Sequence, residues 1–239
     1  MISFGRAVIL VASASTLYTP ATAGLCEQAN PYTVCMSPGR RTAPDRARQL
    51  FDAACELFAE HGYHEVDVAD IAEHAGVSSG TFYNYYSNKR ALLDDILRTY
   101  VDLYAAEIDL VDEKATVVDR SSYAVSFEDM IRRLLSRIAE NAPVTSFLCL
   151  TAPGIDQAAY ASAVDAYTLF SSKFRAFFER GRDRGWVRDD INLTVAGQAA
   201  MSCVIVSVSP MLLGDHQKVD IDLASKVVAT YLLSGMRDA

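Results

Sequence analysis

The sequence predicts an all-α protein with an N-terminal domain of three short helices and a helical C-terminal domain. From about residue 44 onward, apolar side chains recur every three or four positions, which is the period of an amphipathic helix. Capping residues and glycines stand where several of these periodic stretches begin and end. The 239 residues are 51% hydrophobic and carry a net charge of −8, which is a globular composition with room for one or two domains.

The first predicted helix spans about Pro44 to His61, and Gly62 follows as the residue that ends it. Its apolar side chains fall on one face, so we expect this face to pack against the next two helices. The face consists of Ala47, Leu50, Phe51, Ala54, Leu57 and Phe58.

The stretch 66–92 opens with a second, shorter helix. Asp67 is a good N-cap for it, because its carboxylate can accept from free amides of the first turn. Gly76 ends this helix. Its apolar face comprises Val68, Ile71, Ala72 and Ala75.

A third short helix follows the glycine turn. Ser78 is its candidate N-cap, and the helix is predicted to hold residues 81–86. Asn88 can cap the next helix, which begins at Lys89. Two short helices joined by a glycine-containing turn are typical of the helix-turn-helix motif, whose second helix enters the major groove of DNA.

The composition of that second helix fits contact with DNA. Small and hydroxylated residues allow close approach of the backbone, while the tyrosines and the asparagine offer polar groups and flat apolar surface to phosphates and base edges. Lys89 stands where a phosphate would be held, at a helix N-terminus. The candidate DNA-binding residues are Arg41, Ser78, Ser79, Gly80, Thr81, Tyr83, Asn84, Tyr85 and Lys89.

These residues resemble the DNA-binding domain of TetR-family transcriptional regulators over about residues 46–97. The resemblance rests on Asp70-Ile71-Ala72, Ala75-Gly76-Val77-Ser78, Gly80-Thr81-Phe82-Tyr83, Lys89 with Leu92, and the upstream run from Phe58 to Tyr63. It implies a repressor that binds a double-stranded, near-palindromic operator as a homodimer and is released by a small-molecule effector. Asp67 departs from the family pattern, which often has Thr or Ser at this position. An acid there would repel phosphates, so the second helix is expected to contribute less to DNA contact.

Further helices are predicted in the C-terminal half, beginning with a long one from Lys89 towards Val111 and a break at 112–122. Others are centred on 127–138, 160–178 and 222–233. The stretch 191–214 has no charged side chain and is long enough to span a bilayer, but its polar residues argue against a membrane partner. Its β-branched run at 204–208 would also suit a strand, so helix and strand both remain open there.

The resemblance places an effector pocket in the C-terminal half. The candidate ligand-binding residues are Tyr104, Met130, Leu134, Phe147, Tyr167, Phe170 and Met201, and each also suits an ordinary core position. We expect the segment 157–184 or 191–213, together with the last helix, to form a two-fold dimer interface. The predicted domains are therefore 36–92 for DNA binding and 93–239 for ligand binding and dimerisation.

Residues 1–35 resemble a secretory leader, with an apolar run after Arg6 and small residues before Gly24. One alternative is an exported helical protein with a genuine signal peptide. The preferred hypothesis is that translation starts at Met36 and that 1–35 is a signal-like or disordered extension outside the native protein, since a helix-turn-helix belongs in the cytoplasm.

The five cysteines show no C-x-x-C spacing and no partnered histidine, so the sequence predicts no metal site. No Ser-His-Asp grouping, glycine-rich phosphate loop or carboxylate pair indicates catalysis. These absences predict a protein without a cofactor that is not an enzyme, and the helix-turn-helix predicts a cytoplasmic one.

Overall fold

The computed structural model describes residues 43–114, 117–214 and 219–236. Within those ranges the chain forms nine α-helices and no strand, as the sequence predicts. The helices are α1 (Ala43–His61), α2 (Val68–His74), α3 (Ser79–Tyr83), α4 (Lys89–Lys114), α5 (Arg120–Glu140), α6 (Ala142–Ser146), α7 (Gln157–Asp183), α8 (Leu193–Leu212) and α9 (Ile221–Gly235). A π-helical turn (Phe147–Thr151) and a 3₁₀ turn (Ala152–Gly154) connect α6 to α7.

Helices α1 to α3 pack around an N-terminal core. Leu50, Phe58, Ile71 and Phe82 are each at most 1% exposed in it. The same core includes Leu92, Leu93, Ile96 and Leu97 from α4, and Phe147 and Ala152 from the segment after α6. Apolar packing therefore crosses the boundary at residue 92 that the sequence predicts between the two domains.

A second core lies in the C-terminal part, where α5, α7, α8 and α9 meet. Phe127, Phe174 and Phe178 are fully buried there, and the rings of Phe127 and Phe178 are 5.2 Å apart. The aromatic stripe that the sequence predicts on α7 is thus covered by more than one neighbouring helix.

Helix α8 resolves the choice between strand and helix at 191–214 in favour of a helix. Its buried residues recur every four positions at Ala196, Ala200, Val204 and Val208, which is a helical period. Pro210 has no N–H for the carbonyl of Val206, and the Ser209 hydroxyl donates to that carbonyl instead, at 2.8 Å. Tertiary packing and this local replacement let the helix run through a β-branched sequence.

Helix α8 is also the one helix in the described part of the chain that is long and apolar enough to cross a bilayer. The Cβ of an alanine at Gly197 would lie 2.3 Å from the carbonyl oxygen of Ser171 on α7. One side of α8 therefore packs directly on the backbone of a neighbouring helix.

Candidate nucleic-acid interface

Local signals set the start of α2 and the turn between α2 and α3. The carboxylate of Asp70 accepts from the backbone N–H of Asp67 at 2.7 Å, which stabilises the first turn of α2. Gly76 has a φ of 66°, a left-handed conformation that favours glycine, and it follows the end of α2. The chain then turns into α3.

Ser78 is the N-cap of α3, as predicted. Its hydroxyl oxygen accepts from the backbone N–H of Thr81 at 3.2 Å and lies 3.0 Å from the Thr81 hydroxyl. Both side chains are therefore engaged in fixing the start of the helix.

Phe82 anchors α3 to the N-terminal core, where it is fully buried. Its ring contacts the ring edge of Tyr83 at 5.4 Å between centroids. Tyr83 itself is 58% exposed, and Ser79, Gly80 and Asn84 are exposed as well. The buried phenylalanine thus leaves an uncharged row of candidate contact residues facing away from the core.

The helix is shorter than the sequence predicts. It ends at Tyr83, so Asn84, Tyr85 and Tyr86 lie in the following turn and not in the helix. The Tyr86 hydroxyl donates to Asp95 on α4 at 3.0 Å and its ring lies 5.8 Å from Phe82, which holds the turn in place. Tyr86 is half-buried.

Lys89 was predicted to hold a DNA phosphate, and its position does not fit that role. Its ammonium donates to the backbone carbonyls of Tyr63, at 2.7 Å, and Val66, and it lies 4.3 Å above the Tyr63 ring. The three N–H donors of a half-buried ammonium need acceptors, and the loop between α1 and α2 supplies two of them. Lys89 therefore joins that loop to the start of α4.

Helix α2 and its N-cap carry acidic side chains. Asp67, Asp70 and Glu73 are exposed, and His74 at the end of α2 pairs with Glu56 of α1 at 2.8 Å. Carboxylates repel phosphates, so a small contribution of α2 to DNA contact stays a prediction. Arg41, the remaining candidate for DNA contact, lies outside the described residues, as do residues 1–35 and Met36.

The candidate ligand-binding residues divide between the two cores. Tyr104, Met130, Leu134 and Phe170 are buried in the C-terminal core, and Met201 packs against it. The half-buried Tyr167 on α7 donates to the Gln198 carbonyl on α8 at 3.3 Å.

Phe147 does not join this group. It is buried in the N-terminal core, with its ring 5.6 Å from that of Phe58 on α1. Sequence spacing gave no sign of this position, because the two residues are far apart in the chain. Phe147 therefore lies where α1 meets the segment after α6.

A surface cleft of about 380 Å³ lies at the C-terminal end of α7. It is lined by Arg182, Gly185, Val187, Arg188, Asp189 and Asp190, and none of the candidate ligand residues is among them. Among the described residues, no group of three or more His, Cys, Asp or Glu side chains is placed to hold a metal ion.

Residues 50–96 match the family model described as bacterial regulatory proteins of the tetR family. They are a TetR-family domain. The matched range runs from the middle of α1 to the second turn of α4, so it includes the exposed row on α3.

Two relatives of known name extend the comparison. The HTH-type transcriptional repressor KstR2 of Mycobacterium tuberculosis is 36% identical over 86 residues, which are 35% of this chain and 43% of the repressor. The chain thus spans under half the length of that relative. The fatty acid metabolism regulator protein of Bacillus subtilis is 24% identical over 193 residues, covering 80% of this chain and 95% of the regulator.

The similarity in fold to solved structures extends beyond the TetR-family domain. A crystal structure of the transcriptional regulator FadR from Bacillus subtilis, in complex with stearoyl-CoA, superimposes with a TM-score of 0.64 at 24% identity. It covers 80% of this chain and 99% of FadR. The printed names describe these proteins as a repressor and as regulators.

Sequence reasoning missed residues that join the TetR-family domain to the rest of the chain. Arg90 pairs with Asp156 outside that domain, whereas the bond from the Lys89 ammonium to the Tyr63 carbonyl lies within it. Each contact joins residues more than twenty positions apart, beyond the range of helical periodicity or capping motifs.

Proposed function

We propose that this protein is a cytoplasmic transcriptional repressor that binds a near-palindromic DNA operator as a homodimer and releases it when a small-molecule effector binds. One observation carries the proposal. Helix α3 and the turn that follows it, within the TetR-family domain, present the exposed Ser79, Gly80, Tyr83 and Asn84 without an acidic side chain among them.

Side-chain chemistry indicates a different role for each of these residues. Asn84 can pair with an adenine edge, and Tyr83 combines a hydroxyl with flat apolar surface for phosphates and thymine methyl groups. Thr81 is half-buried and bonded to Ser78, so these two residues shape α3, while Tyr85 flanks it. We therefore assign base recognition to Tyr83 and Asn84.

The homodimer is proposed to form through α8 and α9. Val195 and Val206 on α8 are 58% and 69% exposed, and Leu223, Val227 and Tyr231 on α9 are 59%, 56% and 73% exposed. The α9 residues recur every four positions and form one continuous apolar row. Rows of this size suit an isologous contact with a second copy of the chain.

The effector is proposed to carry a long acyl chain and to enter the C-terminal core near Tyr104, Met130, Leu134 and Phe170. Two facts support this class of molecule. The relatives include a fatty acid metabolism regulator and a FadR structure that holds stearoyl-CoA. The core itself is built from aromatic and aliphatic side chains that an acyl chain can contact.

Selection from a random pool of double-stranded DNA tests the operator proposal. The wild-type chain is expected to enrich a near-palindromic sequence, with half-sites about one helical turn (~34 Å) apart. Tyr83→Ala and Asn84→Ala are expected to alter or relax the enriched sequence, whereas Glu128→Gln on α5 is the control and should enrich the wild-type sequence. No enrichment by the folded wild-type protein would contradict the proposal.

The effector proposal is tested on the enriched DNA. Fluorescence anisotropy is measured while stearoyl-CoA, palmitoyl-CoA or free coenzyme A is added. Release by the two thioesters and not by free coenzyme A is the expected result. If the protein stays bound to DNA at saturating concentrations of both thioesters, long-chain acyl-CoA is excluded as the effector class.

A further inference from the structure

One ion pair connects the start of the long helix α4 with the start of α7. Arg90, in the first turn of α4, donates to the carboxylate of Asp156, which lies 66 positions further along the chain. The Arg90 side chain is 24% exposed and the Asp156 side chain is 44% exposed. Arg90 also donates to Asp94 one turn further along α4, at 3.0 Å, which orients the guanidinium towards α7.

The Asp156 carboxylate accepts two hydrogen bonds, one through each oxygen. One oxygen accepts from the backbone N–H of Ala159 at 2.8 Å and caps α7, while the other accepts from Arg90. The Ala159 N–H and the Arg90 guanidinium both lower the pKa of this carboxyl, so it stays ionised at neutral pH. A single side chain therefore fixes the first turn of α7 to the first turn of α4.

Apolar packing supports the same contact. Phe147 and Ala152 are buried in the core of the N-terminal part, and the half-buried Ile155 packs against that core. Just before them, the Thr145 hydroxyl contacts the Tyr104 hydroxyl on α4. The segment from α6 to Asp156 is thus packed against the TetR-family domain at one end and continuous with α7 at the other.

A second ion pair ties the same two helices together near the far end of α4. The Lys173 ammonium lies 2.7 Å from a carboxylate oxygen of Asp109. Arg90 precedes Asp109 on α4 and Asp156 precedes Lys173 on α7, so the two pairs hold the helices side by side in parallel. This arrangement fixes the direction of α4 relative to α7.

We propose that Arg90 and Asp156 are positioning residues, whose ion pair sets the orientation of the TetR-family domain on the C-terminal part. The inference rests on the proposed function for its effect on DNA binding. Two recognition helices bind one operator only at a defined separation, and a domain that is free to reorient loses that freedom on binding. Breaking the pair therefore weakens DNA binding without changing any residue of α3.

Asp156→Asn is the decisive variant, because asparagine is itself a good N-cap and keeps the bond to Ala159 while it removes the charge that holds Arg90. The matched control is Asp119→Asn, which makes the same change at the N-cap of α5, where Asp119 accepts from Ser122 at 2.7 Å. Arg90→Gln and the double variant complete a double-mutant cycle, which isolates the pair from the separate contact of Arg90 with Asp94.

Binding to the enriched DNA is measured first. Asp156→Asn and Arg90→Gln are each expected to weaken it about threefold to tenfold, and the double variant is expected to be no weaker than Arg90→Gln alone. Asp119→Asn should match the wild type. The proposal would be overturned if Asp156→Asn bound DNA within twofold of the wild type. It would also be overturned if the loss of affinity in the double variant equalled the product of the losses in the two single variants.

Hydrogen exchange in the absence of DNA tests the positioning role of the ion pair independently of the proposed function. The amides of residues 147–155 are expected to exchange at least threefold faster in Asp156→Asn than in the wild type or Asp119→Asn, with unchanged global unfolding. Unchanged exchange there would overturn the positioning role. A wild-type chain that enriches no DNA but shows this exchange pattern would refute the proposed function and leave the orienting contact standing.

Discussion

Gly80 lies on the exposed side of α3 with open space around it. A Cβ added there would meet only the Ser78 hydroxyl, at an ordinary 3.7 Å, and its backbone is not left-handed. Packing within the chain therefore does not require glycine at this position.

Gly80→Ala consequently separates folding from binding. The free energy of unfolding is expected to stay the same or rise by up to about 1 kcal/mol, because alanine is the better helix former. Affinity for the enriched DNA is expected to fall about tenfold (~1.4 kcal/mol), because a methyl group would stand where the backbone approaches the duplex. Urea unfolding and anisotropy measure the two effects, and unchanged DNA affinity would show that α3 does not approach DNA at this residue.

Lys89 provides a second test of a residue's role. Lys89→Met keeps the aliphatic stem but removes the donors to Tyr63 and Val66, so we expect a loss of about 1–3 kcal/mol in the free energy of unfolding. The salt dependence of DNA binding should stay as in the wild type. Lys226→Met on the exposed side of α9 is the control and should leave stability unchanged. A normal stability combined with a shallower salt slope would restore Lys89 as a phosphate ligand.

Cys55 is buried in the N-terminal core, and burial raises the pKa of its thiol to about 12. At pH 8 its thiolate fraction is therefore about a thousandfold below that of an ordinary thiol. We expect iodoacetamide to leave Cys55 unmodified in the folded protein and to modify it after unfolding in guanidinium, as followed by peptide mass spectrometry. Rapid labelling of folded protein would instead indicate a reactive thiol suited to redox sensing.

At the scale of single elements, α7 and α8 approach each other closely at Gly197. An alanine Cβ there would lie 2.3 Å from the Ser171 carbonyl oxygen and 3.0 Å from the Arg175 amide nitrogen, and both of these are backbone atoms. Gly197→Ala is expected to lower the free energy of unfolding by about 1–3 kcal/mol, since the helices must separate. Gly154→Ala, where nothing lies within 4 Å, is the control and should be nearly neutral. Equal stability of both variants in urea unfolding would contradict this packing.

Local signals were enough to predict most elements from the sequence. Ser78 and Asn88 cap α3 and α4 as predicted, and Gly62 and Gly76 follow the ends of α1 and α2. The prediction is wrong where contacts between residues far apart in the sequence determine the local structure. The turn after Tyr83 is held by the bond from Tyr86 to Asp95, which no periodicity encodes.

The candidate site was predictable to the same degree. The row on α3 follows from its own few residues, whereas the partners of Lys89 and the place of Phe147 depend on how α1 meets later segments. A helical pattern identifies a buried face but not which neighbour covers it. For that reason the predicted ligand residues came from both cores.

At the scale of the whole molecule, the proposed homodimer depends on exposed apolar rows far from α3. Val206→Glu and Tyr231→Glu each place a charge in a proposed contact, so we expect a shift from dimer to monomer in analytical ultracentrifugation. Val125→Glu on α5, where valine is 63% exposed outside these rows, is the matched control and should stay dimeric. A wild-type monomer, or variants that remain dimeric, would contradict the interface.

The central claim is that the exposed residues of α3 and of the turn after it read a DNA sequence. The measurement that tests it most directly is the ratio of dissociation constants for the enriched DNA and for random DNA of equal length at physiological salt. The account predicts that the wild-type chain prefers the enriched DNA by at least about a thousandfold, and that Asn84→Ala and Tyr83→Ala reduce the preference more than they weaken binding to random DNA. Equal affinity of the folded dimer for both DNAs would contradict the account.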